Sequence, residues 1–350
     1  MNSLDIICNA NYAHIEELKK IRVNRDKEVK DCLETLKNTT LNIYIYGPRG
    51  IGKTFLIKTV QNELKQVDSS IFSFSINMAA IAFHGEAIQR FEFISSIALS
   101  MISRIWSELC NMEQSTIFSE IDSNTFAEPK TQYLHRLYND ITHSRTKFVH
   151  LANRQQLENG NKKEILNWEI ELERFNSSEV LKIIEELRGF LITTENKRKI
   201  VVFCDEANIL DAPVQKEFVT KHLDIFTNLG MQFLFVGGYF VHGDEYNVPD
   251  YFEYILHLKG IEHSHIRELF SKYFPTYEIT IDDECAKYMC NKTYGNIRQI
   301  INITHRAVLD HAIDSKVALN KKTMQRGFRE LEEMTNKLRN PFSPTRINKK

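Results

Sequence analysis

The sequence predicts an α/β fold of three layers: a mostly parallel sheet with helices on both faces, carrying a helical insertion and a C-terminal helical lid. Three observations predict it. Short apolar, β-branched runs alternate with segments of helical period. The first such run ends in a glycine-rich loop that opens directly into a helix. After Lys259 the chain reads as helices almost to its end.

Taken in order, residues Tyr12 to Asn38 are charged with recurring apolar positions, the pattern of one or two amphipathic helices in an N-terminal helical lead-in, 1–40. Leu41 to Tyr46 is β-branched and aromatic and reads as a buried strand. Phe55 to Leu64 then places Leu56, Ile57, Val60 and Leu64 on one helical stripe. Further strands are expected at Ile71 to Met78, Ile200 to Cys204, Met231 to Val236 and near Tyr254 to Leu258. They complete a nucleotide domain at 41–259, with a helical insertion at about 80–199 that exceeds one crossover. Within the insertion, Phe91, Phe93, Ile94, Ile97 and Met101 read as the core face of a helix. The lid is expected at 260–338 as four helices, Glu262 to Tyr273, Asp282 to Asn291, Asn296 to Asp314 and Asn320 to Leu338, before a loose basic tail at 339–350.

Composition excludes several classes. With 350 residues, 42% hydrophobic and 26% charged, the chain can bury a core and is too apolar to be mainly disordered. The longest apolar runs are strand-length, against the roughly 20 residues a membrane helix needs, and Met1 to Ala13 has no secretory pattern, so a cytoplasmic protein without a membrane is expected. Lys and Arg number 45 against 46 Asp and Glu, so nucleic acid would have to be held by local patches. The six cysteines lack metal-ligand spacing and read as reduced thiols.

The chemistry is concentrated in three segments. Gly47, Pro48, Arg49, Gly50, Ile51, Gly52, Lys53 and Thr54 fit G-x-x-x-x-G-K-[ST] between a strand and a helix, the phosphate-binding loop of P-loop NTPases. In such a loop backbone N–H groups and a helix N-terminus converge on phosphate oxygens. Lys53 would reach the β and γ phosphates of ATP, and Thr54 would place its hydroxyl on Mg²⁺. Ile200 to Glu206 is an apolar strand ending in two carboxylates, with Asp205 suited to Mg²⁺ and Glu206 to polarising the attacking water. The third segment is Thr293-Tyr-Gly-Asn-Ile-Arg298.

On these three segments the chain resembles the AAA+ ATPases, in which a G-N-x-R segment opens a lid helix and its arginine, here Arg298, reaches the nucleotide. Ala318 to Leu331 is similar to the closing helix of such lids, and Arg25-Asp-Lys-Glu28 resembles the R-x-x-E start of initiator-type members, the origin-recognition and transposition-regulator proteins. Two departures stand beside the resemblance. Where most AAA+ proteins end the fourth strand on a polar sensor, this chain has Gly237-Gly238-Tyr239, and no arginine occurs from Ala207 through Ile266, where ring-forming members place a finger. Lys221 or an arginine of the insertion is the available substitute.

The resemblance implies an ATP-binding and ATP-hydrolysing switch with Mg²⁺ as cofactor. Two downstream functions compete. One is a DNA-associated assembly factor for replication initiation, transposition or a related transaction, with Lys19, Lys20, Arg22, Arg25 and Lys27 as a basic stripe for duplex DNA. The other is a STAND-like signalling or antiviral-defence ATPase that acts through a protein partner docked on the insertion. Self-association into a homo-oligomer is compatible with both.

Overall fold

The computed structural model describes residues 22–78, 90–109, 177–193, 195–207, 223–237, 252–308 and 316–339, with a few single positions between 132 and 141. Helix α1 (Asp26–Asn38) leads into β1 (Ile43–Tyr46), α2 (Lys53–Val67) and β2 (Ile71–Asn77). Then come α3 (Arg90–Leu109), α4 (Ser177–Thr193), β3 (Lys199–Asp205), α5 (Asp224–Asn228), β4 (Met231–Gly237) and β5 (Tyr254–His257). A 3-10 turn (His263–His265) precedes α6 (Ile266–Tyr273), β6 (Glu278–Ile281), α7 (Asp283–Thr293), α8 (Ile297–Val308), β7 (Lys316–Leu319) and α9 (Lys321–Arg339).

The sheet order is β2-β3-β4-β1-β5. β2, β3 and β4 pair in parallel, with Ile71 opposite Lys199 and Ile200 opposite Met231. Strands of this kind are covered on both faces, so they carry continuous apolar runs instead of alternating ones. β4 is buried at every position and β3 from Ile200 to Cys204. α3 packs on α4 and on β2, and Phe93, Ile94, Ile97 and Met101 are all buried. The side chain of Phe91 and the tail beyond Arg339 lie outside the described residues, as does most of the insertion between α3 and α4, where Leu134, Leu137 and Ile141 are helical and buried.

Two compact units divide the described residues, one drawn from 1–32, 45–62 and 256–350, the other from 33–44 and 63–255. In the first, an apolar core joins Val23 to Ile266, Phe270, Met289, Ile300 and Met324. The all-helical lid predicted after Lys259 is corrected here: β6 and β7 form a two-stranded parallel sheet, with Glu278 opposite Lys316 and Ile281 opposite Leu319. Each is four residues long, and a four-residue strand has too little period to stand out beside long amphipathic helices. α7 starts on Asp282, whose carboxylate accepts from Cys285 N at 2.6 Å, and ends at Tyr294, which takes the left-handed conformation at φ 53°. Among the described residues Cys32, Cys204, Cys285 and Cys290 are free thiols, and no described helix is long and apolar enough to cross a membrane.

Candidate functional site

β1 runs out at Tyr46 and α2 starts at Lys53, so Gly47 to Gly52 make the turn between them. Gly50 and Gly52 sit at φ 86° and 100°, where a side chain is strained. A Cβ on Gly50 would also lie 2.8 Å from Asn296 Oδ1 and 3.0 Å from Arg298 Cβ. Between the two glycines Ile51 is fully buried and pins the loop. The first turn of α2 carries no acidic residue, and its N–H groups have no partner inside the helix. Lys53 Nζ lies over the loop, donating to Gly47 O at 2.8 Å and Pro48 O at 3.0 Å. Backbone donors, a positive helix end, an ammonium and no carboxylate among these eight residues fit a polyphosphate. Thr54, next to Lys53 in that first turn, is partly exposed.

The loop is held from outside by the start of α8. Asn296 Nδ2 donates to Arg49 O at 2.7 Å, and the backbone N–H of Arg298 donates to Gly50 O at 3.2 Å. A trans peptide points its C=O and the following N–H in opposite directions. Holding the carbonyls of Arg49 and Gly50 therefore turns the N–H groups of Gly50 and Ile51 to the other side, where the Ile51 N–H makes a long contact of 3.4 Å to Pro48 O. Asn296 also caps α8, its Oδ1 accepting from Gln299 N at 3.2 Å. The side chain of Arg298 is exposed. Reasoning from sequence singled out Arg298 and passed over Asn296, although Gly-Asn before an apolar helix is itself an N-cap signal.

Arg25 requires a correction. As a member of a basic stripe it was expected to face DNA, yet it is 3% exposed. Its Nη2 donates to Lys259 O at 2.7 Å and Ile51 O at 3.4 Å, and its Nη1 to Glu28 Oε1 at 3.1 Å. The reason is a bend just before α1: Asn24, between them, takes φ 47°, and Val23 and Arg25 are both buried on either side of it. Arg22 pairs with Asp26 at 2.6 Å, Lys27 is exposed, and Lys19 and Lys20 lie outside the described residues.

In the other unit, β3 delivers its acidic pair where the buried run stops: Asp205 is partly exposed and Glu206 exposed. Glu206 takes φ 57°, an uncommon conformation for a non-glycine residue, and its N–H donates to Asp205 Oδ1 at 2.8 Å. The turn carries the Glu206 side chain off the line of the strand. At the end of β4, a Cβ on Gly237 would stand 2.0 Å from Tyr44 Oη, so the buried tyrosine of β1 occupies the space a sensor side chain would need. Gly238, Tyr239 and Lys221 lie outside the described residues.

A parallel sheet, a strand–glycine loop–helix turn with Lys53 over it, and a small lid define a P-loop NTPase of AAA+ type fold. More narrowly, residues 25–229 match the KAP family P-loop domain, and the chain belongs to that family. The match begins at Arg25 and leaves out the lid. The fold is similar to that of the ORC1 protein of Aeropyrum pernix, solved in complex with DNA, at 12% identity and a TM-score of 0.52 over 97% of this chain and 72% of that one. A Walker-type ATPase of Pyrococcus abyssi, paby2304, gives 13%, 0.48, 92% and 77%. Cdc6p of Pyrobaculum aerophilum gives 11%, 0.44, 84% and 65%. The first similarity shows the fold, and the other two, with TM-scores below 0.5, add nothing to it. No curated protein matches the chain.

Proposed function

We propose that the chain is an ATP-binding and ATP-hydrolysing switch in which the phosphate loop controls the lid. The observation that carries this reading is the pair of hydrogen bonds from Asn296 and Arg298 onto the loop carbonyls of Arg49 and Gly50. Each is worth about 1 kcal/mol net, so the pair is worth about 2 kcal/mol. That magnitude matters, because coupling between sites is typically about 1–3 kcal/mol. A stronger clasp would lock the lid, and a weaker one would pass nothing on.

In this reading Lys53 leaves the carbonyls of Gly47 and Pro48 for phosphate oxygens, and the loop amides hold the same group. Thr54 and Asp205 are the residues that would hold Mg²⁺, which supplies charge neutralisation at the phosphates when bound. Glu206 orients and deprotonates the attacking water, and the exposed Arg298 reports the γ phosphate to α8. Two variants test the assignment. Lys53→Ala should abolish binding of ATP, whereas Glu206→Gln should bind ATP and hydrolyse it about 10²–10⁴-fold more slowly. Hydrolysis in Glu206→Gln equal to wild type would remove Glu206 as the base.

The finer reading is a DNA-associated assembly factor. It is supported by the fold shared with a protein solved on DNA and by the initiator-like Arg25-Asp-Lys-Glu28 start. With Arg25 buried, duplex DNA would have to meet other residues. ATP turnover at low salt with and without duplex DNA decides the matter: stimulation lost at higher salt supports it. Unchanged turnover directs attention to a signalling switch with a protein partner.

A further inference from the structure

We infer that Arg25 is a positioning residue for the phosphate loop, aiming the Gly52 N–H at bound phosphate and tying the loop to the root of the lid. Three segments far apart in sequence meet at its guanidinium. Nη2 is shared by Lys259 O, just after β5, and Ile51 O, in the middle of the loop. Nη1 is taken by Glu28 Oε1 and Asn24 O, at 3.1 and 3.3 Å. Because the peptide between Ile51 and Gly52 is trans, a carbonyl turned toward Arg25 turns the Gly52 N–H away from it. The Gly52 N–H is one of the donors that a glycine loop offers to phosphate.

The anchoring is asymmetric. On the lid side, Val23 is built into the same apolar core as Ile261 and Ile266, Lys272 Nζ donates to Arg22 O, and the bond to Lys259 O is short at 2.7 Å. On the loop side there is a single long bond of 3.4 Å, near the limit of hydrogen-bond geometry. The guanidinium thus belongs to the lid root, and the contact that changes is the one to the loop. Burial lowers the Arg25 pKa and the Glu28 charge works against it. Among the described residues its Nε has no hydrogen-bond partner. A charged group held at that cost, between two backbone carbonyls, is suited to a planar fork, which lysine does not have.

The consequence for ATP rests on the nucleotide reading above, so the test has one arm that does not need ATP. Hydrogen exchange would be followed without nucleotide in wild type, Arg25→Met and Arg25→Lys, and mant-ATP binding with Mg²⁺ measured in parallel. Arg25→Met should speed exchange in 50–54 and 256–262 together, leave β3 and β4 protected, and weaken mant-ATP about tenfold. Arg25→Lys, able to keep one carbonyl, should speed exchange in 50–54 alone; it also serves if the methionine variant does not fold. Unchanged exchange in 50–54 in a folded variant, or exchange raised equally throughout the chain, would overturn the proposal. So would wild-type mant-ATP affinity in Arg25→Met. If wild type itself fails to bind mant-ATP, the nucleotide reading falls, and the exchange arm still decides the tether.

Discussion

Replacing Asn296 separates two jobs that one side chain performs. Its Nδ2 donates to Arg49 O at 2.7 Å and its Oδ1 accepts from Gln299 N at 3.2 Å, with the residue 7% exposed. In Asn296→Ser the hydroxyl keeps the cap of α8, but it is too short to reach the loop. What is lost is one hydrogen bond, about 1 kcal/mol, and a partner for a carbonyl that is only part-buried, another ~1 kcal/mol at the low end of the range. The expected cost is therefore ~2 kcal/mol. Asn296→Ala loses the cap as well, a further ~1 kcal/mol, and should cost ~3 kcal/mol. Asn296→Asp keeps the cap and faces the Arg49 carbonyl with an acceptor, so it should fall near the serine variant. Urea unfolding gives the stabilities, and exchange of residues 47–52 shows whether the loop is released. A serine variant within about 0.5 kcal/mol of wild type, or as weak as the alanine variant, would refute the clasp.

Two other perturbations probe the second unit. Gly237→Ala should cost about 1–3 kcal/mol by overpacking, since the new Cβ meets Tyr44 Oη at 2.0 Å and Cζ at 2.9 Å; adding Tyr44→Phe should recover part of it, and additive losses in a double-mutant cycle would argue against the contact. Lys199 donates to the carbonyls of Leu36 and Thr39 at the C-terminal end of α1, while burial, then the charge of Arg198, lowers its pKa from 10.5 to about 8. Between those two values the unfolded chain holds more of the proton, so stability should rise with pH from about 8 to 10.5. Lys199→Met should flatten that slope in urea titrations at stepped pH, and an unchanged slope would remove Lys199 as its source.

The parts legible in the sequence share a property: each signal is local. Gly47 to Thr54 is read from eight consecutive residues, because the turn needs glycines at fixed offsets and the helix needs to start on Lys53. β3 and β4 are legible because strands buried on both faces are apolar at every position. Arg298 was visible through its motif, whereas the loop contact it makes runs through its backbone N–H, which no residue type encodes. β6 and β7 are hidden in the sequence because four residues give each only two inward positions, Ile279 and Ile281 in β6 and Val317 and Leu319 in β7, too short an alternation to register beside long helices.

The sequence by itself determined the succession of β1 to β5 along the chain, the phosphate loop and the acidic pair at the end of β3, since these follow from periodicity, glycine geometry and neighbouring side chains. The tertiary structure alone decided which charges are interior and what holds the loop. Arg25 looks like surface charge in a basic stretch and becomes a buried bridge only when Ile51 and Lys259 arrive beside it. Gly237 looks like a missing sensor and proves to be the space taken by Tyr44. Both depend on partners distant in the chain, and a hydrogen bond or a clash depends on position in space, whereas sequence pattern records position along the backbone.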